Sequence, residues 1–274
     1  DSLISGLKRL AKRVHSLGGK VILQLSHSGI FGRRSISKCK PVNPSRIAKR
    51  DIDALIQDFS ISATRAKEAG FDGVQLHAAH GYLISQFFSP IFNKRDDEYG
   101  GNLRNRARFA ERIVKAIRDN LGPDFPILIK MNCNDFRAGG LTLRESLDIA
   151  KILVNEGVDA IEISGGLLSS KDSGPCRTYE GPYFLKEAMY FKRELNVPVI
   201  LVGGIRSYEA SERIINEGID FVSMSRPFIC EPGLIKRWKM GDREKSACIS
   251  DNKCLGVVKS NEGVSCFRRH IGDT

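Results

Sequence analysis

The chain has 274 residues, a length that fits one large α/β domain or two small ones. With 41% hydrophobic and 27% charged residues it lies in the globular range, which excludes a disordered, collagen-like or fibrous chain. Lys and Arg number 43 against 32 Asp and Glu, and the net charge of +11 favours anionic partners such as phosphate groups, nucleotides or acyl-CoA.

The first segment reads as an amphipathic helix with Leu3, Leu7, Leu10, Val14 and Leu17 on one stripe, and no strand precedes it. Its Lys8, Arg9, Lys12 and Arg13 stand where a signal peptide keeps an apolar centre. No apolar run reaches the roughly 18–20 residues that span a bilayer, so the expectation is a cytoplasmic protein without membrane contact. The basic residues are dispersed and not interleaved with aromatic pairs, so nucleic acid is not an expected partner. Seven cysteines, an odd count, argue against a disulfide framework.

Six short strands follow, of two alternating types. GGKVILQL, FPILIKM and VPVILVGG enter through Gly or Pro and end at Leu25, Met131 and Gly204. AGFDGVQL, EGVDAIEI and EGIDFVSM form an internal repeat of glycine, apolar residue, Asp and apolar strand, ending at Leu76, Ile163 and Met224. Each strand is nearly continuous in Val, Ile and Leu, as a parallel sheet buried on both faces requires, and helix-period segments separate them. Thr142 with Glu145 forms a capping box, Ser207 is an N-cap, and Gly70, Gly157 and Gly218 end helices.

Six βα units in series indicate an α/β fold. A doubly wound sheet is the rival, but it places a Gly-rich phosphate turn after the first strand, where this chain has LSHSGIFG. The glycine pair Gly203-Gly204 comes after the fifth strand instead, and a TIM (β/α)8-type barrel keeps its phosphate site after strands seven and eight. The visible strands are then strands 3 to 8, with strands one and two lacking a counterpart. The expected organisation is a barrel over 1–240, N-terminally incomplete, and a cysteine-containing segment over 241–274 packed on it.

Functional residues of a barrel gather where strands end. Gln24 could offer its amide to a planar heterocycle or be a core amide satisfied by backbone. His77 and His80 are either two ligands of a metal site, which would need a third ligand, or a donor pair for a carbonyl oxygen, and the donor pair is favoured. Tyr82 could supply a proton. Lys130 sits inside an apolar strand and needs an anion or an electron-rich ring opposite it. Gly203, Gly204, Ser225 and Arg226 together read as an anion cradle, which makes a phosphate-bearing cofactor the economical expectation.

The run HAAHGYLISQFFSPIFNKRDDEYGGNLRNRARF from His77 to Phe109, with LQLSHSG, VGGIRS and SRPFI in order around it, resembles the signature of the old yellow enzyme family of FMN-dependent oxidoreductases. The branch it is most similar to holds the NADH:flavin oxidoreductases and 2,4-dienoyl-CoA reductases. The resemblance implies an FMN barrel in which Gln24 bonds the pyrimidine edge and Lys130 stands near flavin N1 and O2. Gly203, Gly204, Ser225 and Arg226 would hold the phosphate, His77 and His80 the substrate's carbonyl oxygen, and Tyr82 the proton. It implies hydride from NAD(P)H through FMN to an activated alkene of a small enone or enoyl substrate, in a protein that could form a homo-oligomer. One branch carries an iron–sulfur cluster on four cysteines. Here Cys248, Cys254 and Cys266 remain, with Asp251 in the place of the second, so a packed cysteine segment is expected rather than a cluster. The alternatives are a flavin-independent phosphate-binding barrel, isomerase or lyase, and an inactive fragment.

Overall fold

Strands nearly continuous in Val, Ile and Leu need cover on both faces, and in the computed structural model the central strands have it while the two edge strands do not. The structure describes residues 1–32, 40–168, 178, 181–256 and 264–266. The strands are β1 (Ile22–Leu25), β2 (Gly73–Ala78), β3 (Ile127–Asn132), β4 (Ala160–Ser164), β5 (Val199–Val202) and β6 (Phe221–Ser223). The helices are α1 (Ile4–His15), α2 (Lys49–Glu68), α3 (Leu83–Phe88), α4 (Leu103–Leu121) and α5 (Leu143–Asn155), then α6 (Leu185–Glu194), α7 (Tyr208–Asn216), α8 (Arg226–Cys230), α9 (Leu234–Lys239) and α10 (Lys253–Gly256).

All the strand pairs are parallel, and the sheet order is β1-β2-β3-β4-β5-β6. An order that never reverses has no topological switch point, which removes the doubly wound alternative. The sheet curls as a barrel does, with β1 and β6 as its two edges. One side chain set points outward under the helices: Val74, Leu76, Ile127, Ile129, Met131, Ile161, Ile163, Val199 and Leu201 are all fully buried. The alternate set, which includes Gln75, His77, Lys130, Glu162 and Ser164, faces the concave side. At the edges the inward-facing Ile22 and Phe221 remain 39% and 56% exposed, because no neighbouring strand covers them among the described residues.

The repeated Asp has a structural explanation. Asp72, Asp159 and Asp220 stand just before β2, β4 and β6, and each carboxylate accepts the backbone N–H that opens the preceding strand: Val21 at 2.8 Å, Ile127 at 2.7 Å and Val199 at 2.8 Å. Each also pairs with a cation, Lys20, Arg118 or Lys192, and Asp72 meets the His15 ring nitrogen as well. The repeat is a strand-starting clip used three times, and it lies at the end of the sheet opposite the strand termini.

The signature run is partly scaffold. Arg95 grips Asp97 with two nitrogens and donates to the carbonyls of Pro44 and Ile47, fixing the chain that enters α2. Asn93 bonds the carbonyls of Phe87 and Tyr99, and buried Arg106 donates to the carbonyl of Phe88 and to Glu145. The expected capping box at Thr142 and Glu145 and the N-cap at Ser207 are both present. Helix α1 departs from expectation. Leu3, Leu10 and Leu17 are exposed, and it is Ala11 that buries against the core, where Leu7 packs beside it. The small residue lets α1 pack closely on α2 and the Gly70 turn that follows it, so the leucine row spaced by seven faces outward.

Candidate active site

A cavity of about 200 Å³ opens at the C-terminal ends of β3 to β6. One end is lined by Gly203, Gly204, Ser223, Ser225 and Arg226, the other by His80, Lys130 and Ser164. Gly203 and Gly204 adopt φ of +110° and +75°, open to glycine alone without strain. A Cβ at Gly204 would lie 1.6 Å from the carbonyl oxygen of Gly181, so the turn also needs glycine to let that segment pass. Ser207 caps α7 directly beyond it. Arg226 donates to Asn252 Oδ1 at 2.7 Å and to the Tyr183 hydroxyl at 3.2 Å, which aims its fork along the cavity wall. Glycine backbone, two hydroxyls and a guanidinium are a donor set suited to a phosphate.

At the other end the imidazoles of His77 and His80 lie 5.2 Å apart, and the ring of Tyr82 lies 4.9 Å from His77. His77 Nδ1 accepts the N–H of Ala79 at 3.3 Å, so its proton resides on Nε2, which becomes the donor. His80 holds φ of +63°, and its N–H donates to Oδ1 of fully buried Asn132, which fixes this uncommon backbone. His80 Nε2 meets the Ser164 hydroxyl at 2.7 Å. Burial, reinforced by the Lys130 charge, holds His77 down to about 4 and His80 well below the ordinary imidazole range. Both rings are neutral at pH 7, so each keeps one N–H to offer an oxygen and has no readily lost proton to act as a general acid.

Lys130 finds its anion in the protein. Its ammonium meets Glu162 Oε1 at 2.9 Å. Glu162 Oε2 accepts the Gln75 amide at 2.7 Å, and Gln75 Oε1 accepts from Gln24 at 2.6 Å. Sequence reasoning took Gln24 and Lys130 as separate contacts, whereas the structure joins them through two intermediates it had not marked. Gln24 itself lines a different and shallower recess, with Ser26, His27 and Asp58. The missed residues carry the signal that exposed Lys130: Glu162 is an acid inside an apolar strand, opposite Lys130 in register. Ser164 ends β4 on the inward alternation.

The cysteines also gather differently than their spacing suggests. Cys248, Cys254 and Cys266 line a small cavity against Arg226. Cys230, which appears isolated in sequence, joins them: burial and the neighbouring Cys266 push its thiol up to about 12. Arg206 donates to the carbonyl of Cys248 at 2.8 Å, which ties this segment to the glycine turn. Among the described residues no three or more His, Cys, Asp or Glu side chains are arranged to hold a metal ion. Cys39 and Cys176 lie outside the described residues.

A curled parallel sheet whose C-terminal rim sets a phosphate-type donor set across one cavity from the His80 imidazole has the architecture of part of a (β/α) barrel with a site for a phosphate-bearing ligand. The comparisons make the class specific: residues 1–245 match the NADH:flavin oxidoreductase / NADH oxidase family, and the chain belongs to that family. NADH oxidase of Thermoanaerobacter brockii is 39% identical over 93% of this chain and 42% of its own length. NADPH dehydrogenase of Clostridium acetobutylicum is 36% identical over 83% of this chain and 69% of its own. A 2-naphthoyl-CoA reductase in complex with 2-naphthoyl-CoA superposes with a TM-score of 0.89 at 29% identity, covering 97% of this chain and 45% of that one. The old yellow enzyme homologue of Zymomonas mobilis shares the fold, with a TM-score of 0.75 at 24% identity over 91% of this chain and 75% of that one. The chain thus spans less than half the length of the NADH oxidase and of the reductase. Among the described residues no helix is long and apolar enough to cross a membrane.

Proposed function

We propose that this chain forms the FMN- and substrate-facing part of an NAD(P)H-dependent oxidoreductase that reduces the activated C=C bond of an enone or enoyl compound. The observation that carries the reading is one cavity with a phosphate-type donor set at one end and the neutral His80 imidazole at the other, with His77 packed against that imidazole. The donor set fits FMN: Gly203, Gly204, Ser225 and Arg226 would hold its phosphate, and Lys130 would face the rest of the molecule. Bound FMN would supply the carrier that passes hydride from NAD(P)H to the alkene.

The protein's own residues do the remaining work. His77 Nε2–H, with the Ser164-linked His80 beside it, hydrogen-bonds the substrate's carbonyl oxygen and stabilises the negative charge that grows there as the β-carbon accepts hydride. Because both rings stay neutral, they polarise the oxygen without surrendering a proton. Tyr82, packed on His77, would protonate the α-carbon. The net charge of +11 suits an acyl-CoA or other anionic substrate. The nicotinamide named for two relatives and the CoA thioester bound by a third support the same chemistry.

The test is to purify the chain with added FMN, confirm yellow absorbance that co-elutes with protein, and add NADH or NADPH anaerobically. Bleaching that an enone or enoyl-CoA reverses is the expected result. Turnover of a phosphate substrate without flavin would replace the reading with a flavin-independent isomerase or lyase.

A further inference from the structure

The cavity floor holds an ion pair that stability alone does not explain. Glu162 is 6% exposed and Lys130 sits beside it, their charged atoms 2.9 Å apart. Desolvating two charges consumes most of what their attraction returns, so a buried pair is a poor substitute for apolar packing. Other concave positions of β3 to β5 are filled by apolar side chains, Leu128, Ala160, Ile200 and Val202 among them. Glu162 does not line the cavity, whereas Lys130 does. One carboxylate oxygen holds Lys130 and the other holds Gln75, which in turn receives Gln24. The result is a continuous polar row across β1 to β4, with its only carboxylate in the middle.

We propose that Glu162 is the positioning residue of this cavity: it fixes the Lys130 ammonium and offsets its charge, so that a bound flavin meets a lysine–glutamate pair rather than a bare cation. This rests on the FMN reading above. With the phosphate held at Gly203, Gly204 and Arg226, the remainder of the cofactor has only the Lys130 and His80 end of the cavity to occupy. Reduced flavin carries negative charge that oxidised flavin lacks. A cation beside it favours the reduced form, and an anion behind that cation moderates the preference. Glu162 therefore sets how strongly the site discriminates between the two redox states, acting through Lys130 without touching the cofactor.

The experiment measures the dissociation constants of oxidised and reduced FMN for the unaltered chain, for Glu162→Gln, for Glu162→Asp and for Lys130→Met, with thermal melting of each. Glu162→Gln leaves Lys130 uncompensated, so reduced FMN should gain about tenfold in affinity relative to oxidised FMN. Glu162→Asp, which keeps the charge, should stay near the parent ratio. Lys130→Met should move the ratio the other way, and it decides the matter should Glu162→Gln fail to fold. A parent-like ratio in Glu162→Gln, an equal shift in the Gln and Asp variants, or a Lys130→Met shift toward reduced FMN would each overturn the proposal. Failure of the parent chain to bind FMN at all would instead overturn the functional reading on which it rests.

Discussion

His77 lies 5.2 Å from His80 and 4.9 Å from Tyr82, ring to ring, but its proton answers to burial and to the Lys130 and Glu162 charges. Burial is the largest influence and Lys130 the next, and both oppose protonation, while Glu162 works against them. The imidazole has an ordinary value of 6.5 and is held down to about 4 in the folded chain. Between those values the unfolded chain binds the proton and the folded chain does not, so stability declines as pH falls from 6.5 toward 4 and this contribution flattens below 4. A drop of two and a half pH units corresponds to about 3 kcal/mol. Denaturant titrations at pH 7 and pH 4.5 should show this loss in the parent chain and a smaller one in His77→Gln. An identical pH slope in both would mean that His77 is protonated freely, and its role as a neutral donor would fail with it.

At the level of strands and helices, the alternating strand types, the capping box and the glycine turn could all be read from residues, because each rests on local chemistry. The clip formed by Asp72, Asp159 and Asp220 could be seen only as a repeat. Its meaning depends on which strand lies alongside, and that is a property of the sheet. The same limit hid Gln75 and Glu162: their partners lie on neighbouring strands, more than thirty residues away in sequence for every bond they make. Of the α1 stripe only Leu7 and Val14 turn inward, because periodicity marks a stripe without saying which side of it packs on α2. Since the Asp clip sits away from the strand termini, its loss should weaken the fold and spare the cavity. Asp159→Ala strips Ile127 N–H of its acceptor and Arg118 of its carboxylate partner, which should cost about 1–3 kcal/mol in unfolding free energy. FMN affinity measured under native conditions should be unchanged, and a parallel loss of affinity would show that the two ends of the sheet are coupled.

Across the whole molecule, curvature of one continuous sheet brings residues 80, 130, 203–204 and 225–226 to one cavity, with His77 and Tyr82 packed behind its imidazole end, and no local pattern fixes that arrangement by itself. The same arrangement makes the two ends of that cavity separable in function. At the cradle, Arg226 supplies a charge-assisted fork to whatever phosphate lies there. Arg226→Ala should weaken FMN binding by about ten- to a hundredfold, the size of a lost charged hydrogen bond. The C-terminal segment that Arg226 anchors through Asn252 should become more sensitive to proteolysis at the same time. At the opposite end, replacing both His77 and His80 by Ala removes the donors to the substrate's oxygen and leaves the cradle intact. Alkene reduction in that variant should fall by about a hundredfold or more, the usual cost of losing oxyanion donors, while FMN affinity and the rate of bleaching by NAD(P)H stay close to those of the parent. The two variants therefore predict opposite patterns in the same pair of assays. If the double histidine variant lost flavin as completely as Arg226→Ala, the imidazoles would belong to the cofactor's grip, and the substrate's oxygen would need other donors.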